Sequence, residues 1–139
     1  MYNMFLKIFF LILLISSSVF SKTLEQIINS ESRTAEYIKR DIYRNPFDTL
    51  SFFKINNKMT VIELQPSGGN SPAGWYTEIL APYLKNNGLL IAAHFNPEES
   101  DWRAKMRSNF ELLIEEKPDY YNIKMSMLSM PPGKLEKYF

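Results

Sequence analysis

The sequence predicts an α/β fold with a short parallel sheet, and three observations carry that prediction. Two apolar runs, residues 60–64 and 89–93, and an alternating one, residues 121–127, have the character of strands. Segments of helical periodicity separate them, the order that βαβ crossovers and a parallel sheet require. A loop of Gly, Ser and Pro, residues 65–73, joins the first strand to its helix. In open α/β folds such a turn brings a ligand against exposed backbone N–H groups.

Composition bounds the rest. A chain of 139 residues, 45% hydrophobic and 14% aromatic, has material for one packed domain and not two. With 16 basic and 15 acidic residues the net charge is +1, so no strong field draws nucleic acid or an acidic membrane. There is no cysteine, which excludes disulfides, thiolate metal sites and a cysteine nucleophile.

Residues 1–21 have the layout of a secretory leader. One positive charge, Lys7, precedes the unbroken apolar run 8–15, and the small residues Ser16, Ser17, Ser18 and Ser21 lead to a cut ahead of Lys22. The run is short for a bilayer span, and an uncleaved anchor is the alternative. Lys7 favours the inside, so the remainder faces outward, secreted or periplasmic, with no stable membrane span after cleavage. Residues 22–139 form the expected domain.

Along that domain, Leu24, Ile27 and Ile28 begin a helical spacing, and Ala35, Ile38 and Ile42 continue one on a separate face beyond a polar break. Two short helices, or one bent one, satisfy this. Asn45-Pro46-Phe47-Asp48 starts another helix, with Asn as cap, Pro in the first position and Asp in the first turn. It is expected to run through Phe53. The strand at Thr60 follows, with Glu63 near its end. Gly88 is expected to end the next helix rather than open a hairpin. The run 89–93 lacks alternation, which suits a strand covered on both faces. Ser100 caps the following helix, Trp102, Met106, Phe110 and Leu113 form its apolar stripe, and Pro118 stops it. In the last strand Tyr121, Ile123, Met125 and Met127 alternate with polar residues, as at a sheet edge. Pro131-Pro132-Gly133 begins a tail.

Two crossovers give strand order 3-2-1, half of a doubly wound, Rossmann-like sheet. The first strand then keeps one unpaired edge. N-terminal helices, a partner chain at that edge, or truncation of a longer gene product would each resolve this, and the reading adopted is truncation.

From Arg40 to about Gly133 the chain resembles the N-terminal half of a family of predicted class I methyltransferases. These use S-adenosyl-L-methionine (SAM), and many carry signal peptides. The matching pieces are Arg44-Asn45-Pro46 with Thr49-Leu50-Ser51-Phe52-Phe53, then Met59-Thr60-Val61-Ile62-Glu63, then Gly74-Trp75-Tyr76-Thr77-Glu78-Ile79-Leu80-Ala81-Pro82-Tyr83-Leu84. The last is the most specific, with a proline inside a helix that it would ordinarily break.

The resemblance implies that Glu63 takes the acidic position at the end of the first strand and contacts the cofactor. Its glycine-rich turn becomes Gln65-Pro66-Ser67-Gly68-Gly69, with Gly68 and Gly69 admitting the ligand to the backbone and Gln65 and Ser67 where glycine is common. Asn70-Ser71-Pro72-Ala73 looks like an insertion. His94 stands at the end of the second strand, where such enzymes commonly place an acid on the ribose hydroxyls, and as a neutral partner it binds less strongly. Trp75 and Tyr76 serve packing or stack on adenine, with packing preferred. One histidine without cysteine makes no metal site. The later motifs and the methyl-acceptor contacts are missing, so no catalytic residue carries over. The expected function is a SAM-dependent methyltransferase-like domain. A non-catalytic exported module recruiting a partner at the first strand's edge is the alternative, and a broken gene product a third.

Overall fold

The computed structural model describes residues 21–67 and 73–128. Apart from Ser21, the expected leader lies outside them, as do Gly68, Gly69 and the tail from Pro131. The fold is mixed α/β around an open, all-parallel sheet of three strands: β1 (Thr60–Leu64), β2 (Leu89–Phe95) and β3 (Ile123–Leu128), in the order β1-β2-β3. Four short helices precede it: α1 (Leu24–Ile28), α2 (Ala35–Ile38), α3 (Asp41–Arg44) and α4 (Pro46–Phe52). The crossovers are α5 (Thr77–Leu84) and α6 (Asp101–Glu116).

Register divides the sheet into two unlike faces. Val61 pairs with Leu90 and Glu63 with Ala92, and Leu90, Ala92 and His94 pair with Ile123, Met125 and Met127, so these side chains share one face. Thr77 of α5 bonds Glu63, and Phe110 of α6 stacks on His94 with ring centroids 4.8 Å apart. Both helices therefore cover that same face. Two right-handed crossovers that step the same way across a sheet must do this. The opposite face is left open beside β1, where Ile62 is 49% and Leu64 66% exposed. For β2 the expectation of two covered faces holds in part: Leu90, Ala92 and His94 are buried on the covered face, while on the other Ala93 is buried and Leu89 and Ile91 are half-buried.

The core lies between the covered face and the two helices, with Ile79, Leu80, Leu84, Leu90, Ala92, Phe110, Leu113 and Ile123 all buried. Leu24, Ile27 and Ile28 of α1 extend it onto α5, and Leu50 of α4, which packs on α1, joins the same cluster. Burying a Leu or Ile side chain stabilises by about 1.5–3 kcal/mol. Helix α1 thus buries its apolar residues against α5, and Ile62 and Leu64 stay exposed.

Several local expectations hold, and others shift. Ser100 caps α6 by accepting from the Arg103 N–H at 3.3 Å. Met106, Phe110 and Leu113 are buried on its inner side, but Trp102 at its first turn is 57% exposed. Asn45 does precede Pro46, yet it has φ 42° and no side-chain cap bond; it ends α3 and starts α4 in one left-handed residue. Helix α4 ends at Phe52, with Phe53 as its cap. The Ile38 and Ile42 stripe is not a core face, since Ile42 is 72% exposed and α2 and α3 bury none of their residues. Gly88 follows α5, its N–H bonding Leu84 O at 2.9 Å. Its requirement is space: a Cβ there would lie 2.6 Å from Met59 O and 2.8 Å from Asn57 O.

Polar contacts, more than apolar ones, fix α2 and α3. Arg33 is buried and donates to both oxygens of Asp41 (2.6 and 3.0 Å) and to Ile28 O (2.8 Å). Trp75 Nε1 donates to Tyr37 O (3.0 Å) and Asp41 Oδ1 (2.9 Å). Buried Glu78 accepts from the Thr34 N–H (2.7 Å) and hydroxyl (2.5 Å) at the start of α2. The Trp-Tyr-Thr-Glu segment therefore acts as the clasp between the N-terminal helices and the sheet, and Trp75, 4% exposed, is a packing residue.

Candidate functional site

At the carboxyl end of β1 the chain turns away from the sheet, and a cavity of about 300 Å³ opens between that turn and the N-terminal helices. Glu63, Gln65, Ser67, Arg40, Arg44 and Trp75 are among its lining residues. The sheet brings the carboxylate there because β1 ends one residue later; α2 and α3 bring the two arginines because the Trp75 clasp ties them down.

Glu63 points to the covered face beneath the start of α5. Thr77 Oγ1 donates to its Oε2 at 2.7 Å and accepts from the Gly74 N–H at 3.0 Å. Pro66 O lies 3.3 Å from the same hydroxyl, which has one proton to give and gives it over the shorter distance. Gly74 makes this arrangement possible: a Cβ there would overlap the Pro66 carbonyl and come within 2.9 Å of Glu63 Oε1. Burial raises the Glu63 carboxyl from an ordinary 4.5 to about 7, and the Thr77 bonds oppose that rise only in part. A carboxyl poised near neutrality can accept a hydrogen bond from a hydroxyl or ammonium, or pass a proton. Among the described residues Oε1 has no hydrogen-bond donor.

Gln65 adopts φ 50°, the left-handed conformation that glycine takes most readily. Its own bonds hold it there. The Gln65 N–H donates to Ala93 O at 2.8 Å, and its side-chain Oε1 accepts from the Phe95 N–H at 3.2 Å, extending the β1–β2 ladder past the strand end. Ser67 is 4% exposed, and its Oγ has no hydrogen-bond partner among the described residues.

The structure thus brings together Glu63, Gln65 and Ser67. It does not bring His94 to them. Strand β2 runs two residues beyond the expected 93, which carries His94 inside the sheet, 2% exposed and edge-on to Phe110. Burial, with Arg107 nearby, lowers its imidazole from 6.5 to about 4, so it is neutral, and its Nε2 has no partner among the described residues. Sequence reasoning missed Thr77, Gly74, Arg40 and Arg44 as parts of the site. Gly74 and Thr77 stood inside the quoted Gly-Trp-Tyr-Thr motif, and the four-residue spacing of Arg40 and Arg44, one helical turn, was a further signal. Among the described residues no cluster of His, Asp and Glu could hold a metal ion, and no helix is long and apolar enough to cross a membrane. Compared with models of protein families, with curated proteins and with solved structures, the chain matches none.

Proposed function

We propose that the chain is the cofactor-binding half of an exported SAM-dependent methyltransferase-like domain with a Rossmann-like sheet. One observation carries this reading: a half-buried carboxyl, Glu63, stands at the carboxyl end of the first parallel strand and lines a cavity there. Ligands of open α/β sheets bind outside the carboxyl ends of the strands. The residues present fit such a ligand, since Oε1 of Glu63 keeps an acceptor position for a ribose hydroxyl or an ammonium group while Oε2 is held by Thr77. Gln65 and Ser67 line the same space; Gly68 and Gly69, outside the described residues, are assigned to the ligand by the resemblance alone. His94 belongs to the packing against α6 and is given no part in the site.

Bound SAM would supply an electrophilic methyl group on a sulfonium. The chain's own contribution is to grip and orient the cofactor and to shield it from water. Isothermal titration tests the reading: S-adenosylhomocysteine binds saturably below millimolar concentration, and Glu63→Gln weakens it about tenfold. Absence of any heat up to millimolar ligand would sink it.

A second reading draws on the open face of the sheet. The outer edge of β1 pairs with no strand among the described residues, and Ile62 and Leu64 beside it are exposed. Such an edge suits a non-catalytic exported module that recruits a partner chain. Sedimentation of the purified chain separates the two, because a stable, ligand-free monomer has no need of that partner.

A further inference from the structure

We infer that the cavity at the end of β1 recognises a small molecule through an anionic oxygen group, carboxylate or phosphate, held by Arg40 and Arg44. This rests on the reading of that cavity as the ligand site and names the part of the ligand that faces the N-terminal helices. Two guanidinium groups lie near Trp75, and a third lines the cavity beside it. Arg33 and Arg44 lie 5.8 and 5.0 Å from its ring centroid, and Arg40 lines the same cavity one helical turn before Arg44. Arg33 is neutralised, because both oxygens of Asp41 accept from it. Arg40 and Arg44 form no salt bridge with any described residue, and neither side chain makes a hydrogen bond there.

Two like charges one turn apart repel, so their joint placement favours an anion between them. A guanidinium presents paired N–H donors that match a carboxylate or phosphate edge to edge. The Trp75 face holds Arg44 at the cavity, and the Trp75 indole is itself fixed by Tyr37 O and Asp41, so the seat is rigid. Among the described residues the only carboxyl lining the cavity, Glu63, lies on the strand side and is engaged by Thr77. The cavity is thus polarised, with donors at the helix side and an acceptor at the sheet side. A molecule carrying an anionic end and a hydroxyl or ammonium end matches both.

The test titrates the full chain and Arg40→Ala/Arg44→Ala with three probes: S-adenosylhomocysteine, which has a carboxylate; methylthioadenosine, which lacks it; and adenosine 5′-monophosphate. Both side chains are exposed, so the variant keeps its fold, which circular dichroism verifies. The expected result is S-adenosylhomocysteine binding about tenfold or more tighter than methylthioadenosine, with that advantage lost in the variant and methylthioadenosine unaffected. If only the monophosphate binds, and only with both arginines present, the anion inference stands and the SAM reading falls. If S-adenosylhomocysteine and methylthioadenosine bind alike and the variant changes neither, the inference is overturned while the SAM reading survives. Failure of all three probes overturns both.

Discussion

Replacing Glu63 by Gln should expose an opposition between two desolvated groups that hides in the wild-type chain. The folded protein holds the Glu63 carboxyl at about 7 against an ordinary 4.5. Between those values the unfolded chain has released the proton and the folded chain has kept it. Stability from this group is therefore complete below about 4.5 and falls as pH rises to about 7. His94 runs the other way, being held at about 4 against an ordinary 6.5. Its contribution is complete above about 6.5 and is lost as pH falls to about 4. Each gap corresponds to roughly 3 kcal/mol, so between pH 4.5 and 6.5 these two contributions nearly cancel. Glu63→Gln keeps an oxygen for Thr77 but carries no charge. Relative to wild type it should gain up to roughly 3 kcal/mol between pH 4.5 and 7.5. His94→Leu should gain a similar amount as pH falls from 6.5 to 4. Urea denaturation of the three proteins at four pH values measures both differences. A Glu63→Gln difference that stays constant across pH would refute the burial argument.

The remaining predictions concern the frame around the cavity. Gly74→Ala places a methyl group on the Pro66 carbonyl and should cost at least about 3 kcal/mol or abolish the cooperative melt, seen by thermal denaturation. Asp41→Asn leaves Arg33 buried without its carboxylate and should cost about 3–5 kcal/mol in a urea titration. Trp75→Phe removes the two indole hydrogen bonds that fasten α2 and α3 and should cost roughly 1–2 kcal/mol. That loss should be accompanied by faster amide exchange in residues 34–44. If residues 1–21 are a cleaved secretory leader, mass spectrometry of the protein recovered from its source should find Lys22 at the N-terminus.

Much of the backbone was legible because local signals agreed with one another. The strand at Thr60, the Ser100 cap and the Pro118 stop each rest on a few adjacent residues. The faces were not legible. An apolar run such as Leu89-Leu90-Ile91-Ala92-Ala93 reads as covered on both sides, yet coverage depends on which way successive crossovers step, a property of the whole sheet. The stripe of Ile38 and Ile42 misled for a related reason. What holds that segment is the buried pairing of Arg33 with Asp41 and the indole of Trp75, and the pairing of charges across eight residues leaves no periodic trace. At the site, Glu63 was legible from its place at a strand end. His94 was misplaced because two extra strand residues moved it from the rim into the core.

Chemical-shift mapping of the isotope-labelled chain with S-adenosylhomocysteine tests the central claim most directly. The account predicts saturable shifts centred on the amides of residues 63–69, of Gly74 through Thr77, and of residues 40–44. Shifts centred elsewhere, such as the hollow lined by Ile28, Glu31, Ile38 and Phe47, or none at saturating ligand, would contradict it.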